Sequence, residues 1–199
     1  MEYKDLYRAA EKYAATNVAA GRSAFVPVVA LKAELVNSIN WLDDINIFGV
    51  DAQEGDPLGH YELYSQTESR WDDPETWVVL VTYKKDLNAF EQRFVWCKEL
   101  MHIFDTQEGC VETEEEYRQL LMEIELKPID SSEKYLSENR AKWMALLIMC
   151  PKIYRDEIKI KFDEGEMDEH GVAQYFQIPH QIVGSLMSVY YDNCFDQFL

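Results

Sequence analysis

The sequence has no long hydrophobic run, and this absence argues against a membrane-spanning helix. No apolar stretch approaches the roughly 18 residues that a transmembrane helix needs. The opening residues, Met1-Glu2-Tyr3-Lys4-Asp5, also lack the basic and then apolar profile of a signal peptide. We therefore expect a cytoplasmic protein that has no membrane partner.

Cations are scarce. The chain carries 19 Lys and Arg against 37 Asp and Glu, a formal net charge of −18. Binding to nucleic acid or to an anionic membrane depends on clustered cations. Residues 162–199 contain no Lys or Arg, so the short-helix, turn, helix rhythm of that region does not predict a DNA-binding motif. We expect a protein partner and no nucleic acid, and the oligomeric state stays open.

Paired cysteines and nucleophile motifs are missing as well. The four cysteines, which form no Cys-x-x-Cys pair, are Cys97, Cys110, Cys150 and Cys194. This pattern predicts buried free thiols in a reducing compartment. No Gly-x-Ser-x-Gly occurs, and no Cys is visibly paired with a His. Serine or cysteine nucleophile chemistry therefore has no support.

What the sequence does have is enough apolar material for one core. With 47% apolar and 13% aromatic residues in 199, we expect a single α+β domain, mostly helical with a small antiparallel sheet. Periodicity divides the domain into helices at 1–44, the sheet at 45–83, helices at 84–150 and C-terminal helices at 151–199. The last part is expected to end in a helix from Pro179 to Asp192, and another helix is expected from Thr113 to Leu126.

The helix expected from Ala89 to Phe104 carries the candidate site. Lys98 and His102 lie one turn apart on it, with Glu99 beside them. This spacing nearly spells H-E-x-x-H, in which two imidazoles hold a zinc ion and the Glu deprotonates the metal-bound water. Here the first ligand position holds a lysine, whose ammonium group is a poor zinc ligand. On pattern alone, such a Glu-x-x-His pair is more often an ordinary half-buried pair than a site.

Three segments in order resemble the ImmA/IrrE family of metallopeptidase-like proteins. The segment around Glu99 is similar to the family's R-F-T-x-A-H-E-L-G-H element, with matches at Arg93, Phe94, Glu99, Leu100 and His102. A later segment is similar to its E-x-x-A-N-x-F-A-A-x-L-L-M-P helix, with matches at Glu138, Ala141, Ala145 and Pro151. Residues 172–179 resemble its closing L-A-x-x-F-x-V-S element. The departures from the pattern are Lys98 for the first His, Met101 for Gly, Lys142 for Asn, and no Arg near Leu186.

The resemblance implies a zincin-like fold and a zinc-dependent endopeptidase that cleaves a regulatory protein, often a repressor in phage or mobile-element immunity. It implies His102 and Glu138 as metal ligands and Glu99 as the general base. With Lys98 at the first ligand position, two of the usual three protein ligands remain. Asp105, three residues after His102, is a possible auxiliary ligand.

Two interpretations follow. In the first, the ammonium of Lys98 takes the cation's place and pairs with Glu138, so that the protein needs no cofactor and is a pseudoenzyme that binds a protein partner. In the second, a non-standard ligand completes a zinc site and the protein is an active endopeptidase. Lys98 favours the first interpretation, and metal content distinguishes the two.

Overall fold

The computed structural model describes residues 1–51, 53, 55–66, 76–105, 119–120 and 132–199. The first half contains two helices, α1 (Tyr3–Ala19) and α2 (Val28–Ser38), then strands β1 (Asp44–Val50), β2 (Gly59–Gln66) and β3 (Thr76–Lys84), and helix α3 (Ala89–Met101) with a 3₁₀ turn at His102–Phe104. The second half contains α4 (Glu133–Met149), α5 (Lys152–Asp163), α6 (Glu169–Phe176), a 3₁₀ turn at His180–Ile182, α7 (Val183–Met187) and α8 (Val189–Phe198). The mixed α+β class is confirmed. The helix expected from Thr113 to Leu126 lies outside the described residues, apart from 119–120.

The sheet is mixed, so the expectation of an antiparallel sheet is wrong for one of its two pairings. The strand order is β1-β3-β2, in which β1 runs parallel to β3 and β2 runs antiparallel to it. The middle place goes to β3, whose Val78, Val79 and Val81 are buried. Apolar alternation identifies a strand but carries no information about the direction of its neighbours, so the sequence pattern did not reveal the parallel pairing.

One face of the sheet packs against α3, and α4 covers the other side of that helix. Ile45, Val79 and Val81 on this face are completely buried. Asn88 begins α3 by accepting hydrogen bonds from the backbone of Phe90 and Glu91, and the side chain of Glu91 bonds back to the Asn88 N–H. Helix α3, which carries the candidate site, therefore packs between the sheet and α4.

The first helix is held by the second half of the chain. The Tyr3 hydroxyl donates to the backbone oxygen of Met144 at 2.8 Å, and the backbone N–H of Lys152 donates to the Tyr7 hydroxyl at 2.9 Å. Each contact joins residues more than 140 positions apart in the chain. Both tyrosines belong to the same buried cluster as α3 and α4.

The C-terminal helices differ from the expectation of one helix from Pro179 to Asp192. The 3₁₀ turn at His180–Ile182 precedes α7, and the extended backbone of Ser188 separates α7 from α8. The buried side chain of Arg155 donates to the backbone oxygens of Leu186 and Ser188, each at 2.9 Å. A guanidinium group satisfies several carbonyls at once because its donors form a rigid fork, which stabilises the break.

Three of the predicted free thiols lie in the described residues. Cys97 and Cys150 are buried, Cys194 is partly buried, and all three are free; Cys110 lies outside the described residues. Burial raises the pKa of Cys97 to about 12, so this thiol is not a reactive nucleophile. Among the described helices, none combines the length and the apolar character that crossing a membrane requires.

Candidate functional site

The site lies where α3 faces α4. Lys98 is on the last turn of α3, His102 is the first residue of the 3₁₀ turn that follows, and Glu138 is on the second turn of α4. The α-helix was expected to continue to Phe104, but it ends at Met101, and His102–Phe104 form a 3₁₀ turn. His102 nevertheless keeps helical backbone angles (φ −63°, ψ −15°), so its side chain still lies one turn after Lys98 on the same face.

Lys98 makes the central contacts. Its Nζ lies 2.6 Å from Oε2 of Glu138 and 3.0 Å from Oε1 of Glu99. The Lys98 side chain is 20% exposed and that of Glu138 is 28% exposed. The ammonium group therefore bridges two carboxylates from two helices in a partly buried setting, where an ion pair is screened less than at a fully exposed surface.

Glu99 is almost fully enclosed, with 3% of its side chain exposed. Its Oε1 accepts no regular hydrogen bond, so the ion pair with Lys98 is the polar contact that compensates its burial. Gly59, the first residue of β2, packs directly against it. A Cβ at Gly59 would overlap Val95 Cγ1 and would come within 2.7 Å of Glu99 Oε1. The absence of a side chain at residue 59 thus gives Glu99 its space.

The two ring nitrogens of His102 face different partners. Nε2 lies 3.4 Å from Oε1 of Glu138 and 3.8 Å from Oε2 of Glu99. Nδ1 lies 2.7 Å from Oδ2 of Asp105. Asp105, expected as a possible auxiliary ligand, therefore contacts the nitrogen opposite the one that faces the two glutamates. In this position it orients the imidazole ring.

Two residues of the site were not expected from the sequence. The Ser137 hydroxyl donates to Oδ2 of Asp105, and Arg140 Nη1 lies 3.2 Å from Oδ1 of the same carboxylate. Ser137 and Arg140 are three residues apart on α4 and flank Glu138. Residues at i and i+3 share one helix face. The position of Ser137 and Arg140 on either side of the candidate ligand Glu138 could therefore have indicated from the sequence that they belong to the site.

The pKa values follow from these contacts. Burial alone lowers the pKa of Lys98, but the negative charges of Glu99 and Glu138 outweigh burial and raise that pKa above its ordinary value. Burial also opposes the charged form of His102, yet its hydrogen bonds to Asp105 and Glu138 raise its pKa to about 9. Burial acts to raise the pKa of Glu138, and the opposing contacts with His102 and Lys98 lower it to about 2. The lysine, the histidine and the glutamate are thus all charged near neutral pH.

These residues do not fit a zinc ion. The position between Glu99 and Glu138 is taken by the ammonium of Lys98, and the Nε2 atom of a protonated His102 has no lone pair to offer a metal. Within the described residues, no group of three or more His, Cys, Asp or Glu side chains has an arrangement suited to a metal ion. A zinc ion at this place would have to displace Lys98 and remove a proton from His102.

The six charged residues of the site, which we call the Lys98 cluster, balance one another's charge. Three cations, Lys98, His102 and Arg140, contact three carboxylates, Glu99, Glu138 and Asp105.

Comparisons with protein-family models, with curated proteins and with solved structures give no match.

Proposed function

We propose that this protein is a catalytically impaired, metallopeptidase-like pseudoenzyme that acts by binding a protein partner. The observation that carries the proposal is the position of the Lys98 ammonium, 2.6 Å from Glu138 and 3.0 Å from Glu99. In the ImmA/IrrE resemblance this is the neighbourhood of the metal. A built-in cation here joins α3 to α4 as a metal would, but it activates no water.

The protonation states support a role without hydrolysis. A protonated lysine has no lone pair with which to attack a carbonyl, and a histidine with a pKa of about 9 is a poor general base at neutral pH. Glu99, which the resemblance implies as the general base, is enclosed and paired with Lys98. The cluster therefore serves best as a structural element between two helices.

The net charge supports a protein as the partner. At −18, the chain repels phosphate backbones and attracts basic proteins. The partner class that the resemblance suggests is a regulatory protein in phage or mobile-element biology, inside the cytoplasm. Such a partner would contact the acidic surface of the chain, and it could also reach the exposed parts of Lys98 and Glu138, whose side chains are 20% and 28% exposed.

One observation favours the alternative, an active zinc-dependent endopeptidase with a non-standard ligand. The contact of Asp105 with Nδ1 of His102, at 2.7 Å, matches the carboxylate–histidine arrangement that orients zinc ligands. This alternative requires Lys98 to swing out of the cluster and another group to replace it. This movement has a high free-energy cost, because it leaves the carboxylates of Glu99 and Glu138 without a cation until zinc binds.

Metal content tests the proposal. The protein would be purified without a His tag, dialysed against zinc and measured by mass spectrometry, with His102→Ala beside it. We expect no bound zinc in either protein. About one zinc per chain, lost in His102→Ala, would overturn the proposal in favour of the endopeptidase. Peptidase activity that disappears in Glu99→Gln would do the same.

A further inference from the structure

We draw no further inference here: the strongest candidate, the face of the sheet opposite α3, on which Phe48 and Val50 of β1 are 55% and 39% exposed, carries nothing because the described part of the structure does not show what covers it.

Discussion

The Nζ atom of Lys98 lies 2.6 Å from Oε2 of Glu138, a residue 40 positions later in the chain. This charged contact joins α3 to α4. Lys98 also neutralises Glu99, whose side chain is almost fully enclosed. Removing one member of such a cluster leaves charges that the protein has already withdrawn from water.

Lys98→Ala is therefore expected to destabilise the protein by about 2–4 kcal/mol, somewhat less than for a fully buried pair because the lysine and Glu138 retain some solvent contact. Urea unfolding at neutral pH measures this loss. Lys12→Ala on the exposed side of α1 is the control and should change the free energy of unfolding by less than about 0.5 kcal/mol. Equal effects of the two substitutions would contradict a stabilising role for the Lys98 cluster.

Lys98→His is expected to gain zinc that the unchanged protein does not hold. The substitution removes the ammonium and places a second imidazole one turn before His102, so that His102, Glu138 and the new side chain supply three protein ligands. Zinc per chain after dialysis, and a rise of the unfolding temperature with added zinc, measure the gain. Lys98→Gln is the control, since it removes the charge without adding a ligand. A Lys98→His protein as free of zinc as the control would show that the remaining residues do not converge on a metal position.

Stability should fall as pH rises from about 6.5 to about 9. The pKa of His102 is raised from 6.5 to about 9 in the folded protein, so its contribution is fully present below the unfolded-state value and is lost through the folded-state value. The difference corresponds to a loss on the order of 3 kcal/mol. Urea unfolding at pH 6.5 and pH 9.5 measures it, and His102→Gln should remove most of the difference between the two pH values.

At acid pH the sign is reversed for Glu138. Its pKa is lowered from 4.5 to about 2, so its contribution is present above pH 4.5 and is lost as the pH falls toward 2. The cluster as a whole is thus most stabilising between about pH 4.5 and pH 6.5. Glu138→Gln should flatten the acid side of the profile, and an unchanged acid side would show that other carboxylates are responsible.

Gly59→Ala should destabilise the protein by about 1–3 kcal/mol, as expected for an added methyl group in a packed contact. The new Cβ would overlap Val95 and press on Glu99, so β2 must move away from α3. Gly184→Ala is a matched control, because a Cβ at Gly184 in α7 would meet no atom within 4 Å. Thermal unfolding of the two variants distinguishes them. Identical unfolding temperatures would mean that β2 yields to the added methyl group at no cost.

Helical spacing made the proximity of Lys98 and His102 predictable. The resemblance to the ImmA/IrrE pattern implied that Glu138, on α4, would lie close to them. The space that Gly59 leaves for Glu99 was not predictable, because it depends on how closely β2 approaches α3. Similarly, Asp105 was expected beside His102, but the ring nitrogen that it contacts depends on side-chain rotation at the start of a 3₁₀ turn. Periodicity along the chain describes faces of elements, and distances between elements require the assembled fold.

The hydrogen bonds of Tyr3 to Met144 and of Lys152 to Tyr7 bear on how the molecule forms during synthesis. Both partners leave the ribosome only after most of the chain has been made, so α1 has to wait for α4 and α5 before these bonds can close. Contacts between residues so far apart in sequence slow folding, because the chain loses the entropy of closing a long loop before the contacts can stabilise it. Until then α1 exposes the apolar face that includes Leu6 and Ala10, both fully buried in the finished protein. The nascent chain is therefore most vulnerable to aggregation or chaperone capture before residue 152 has emerged.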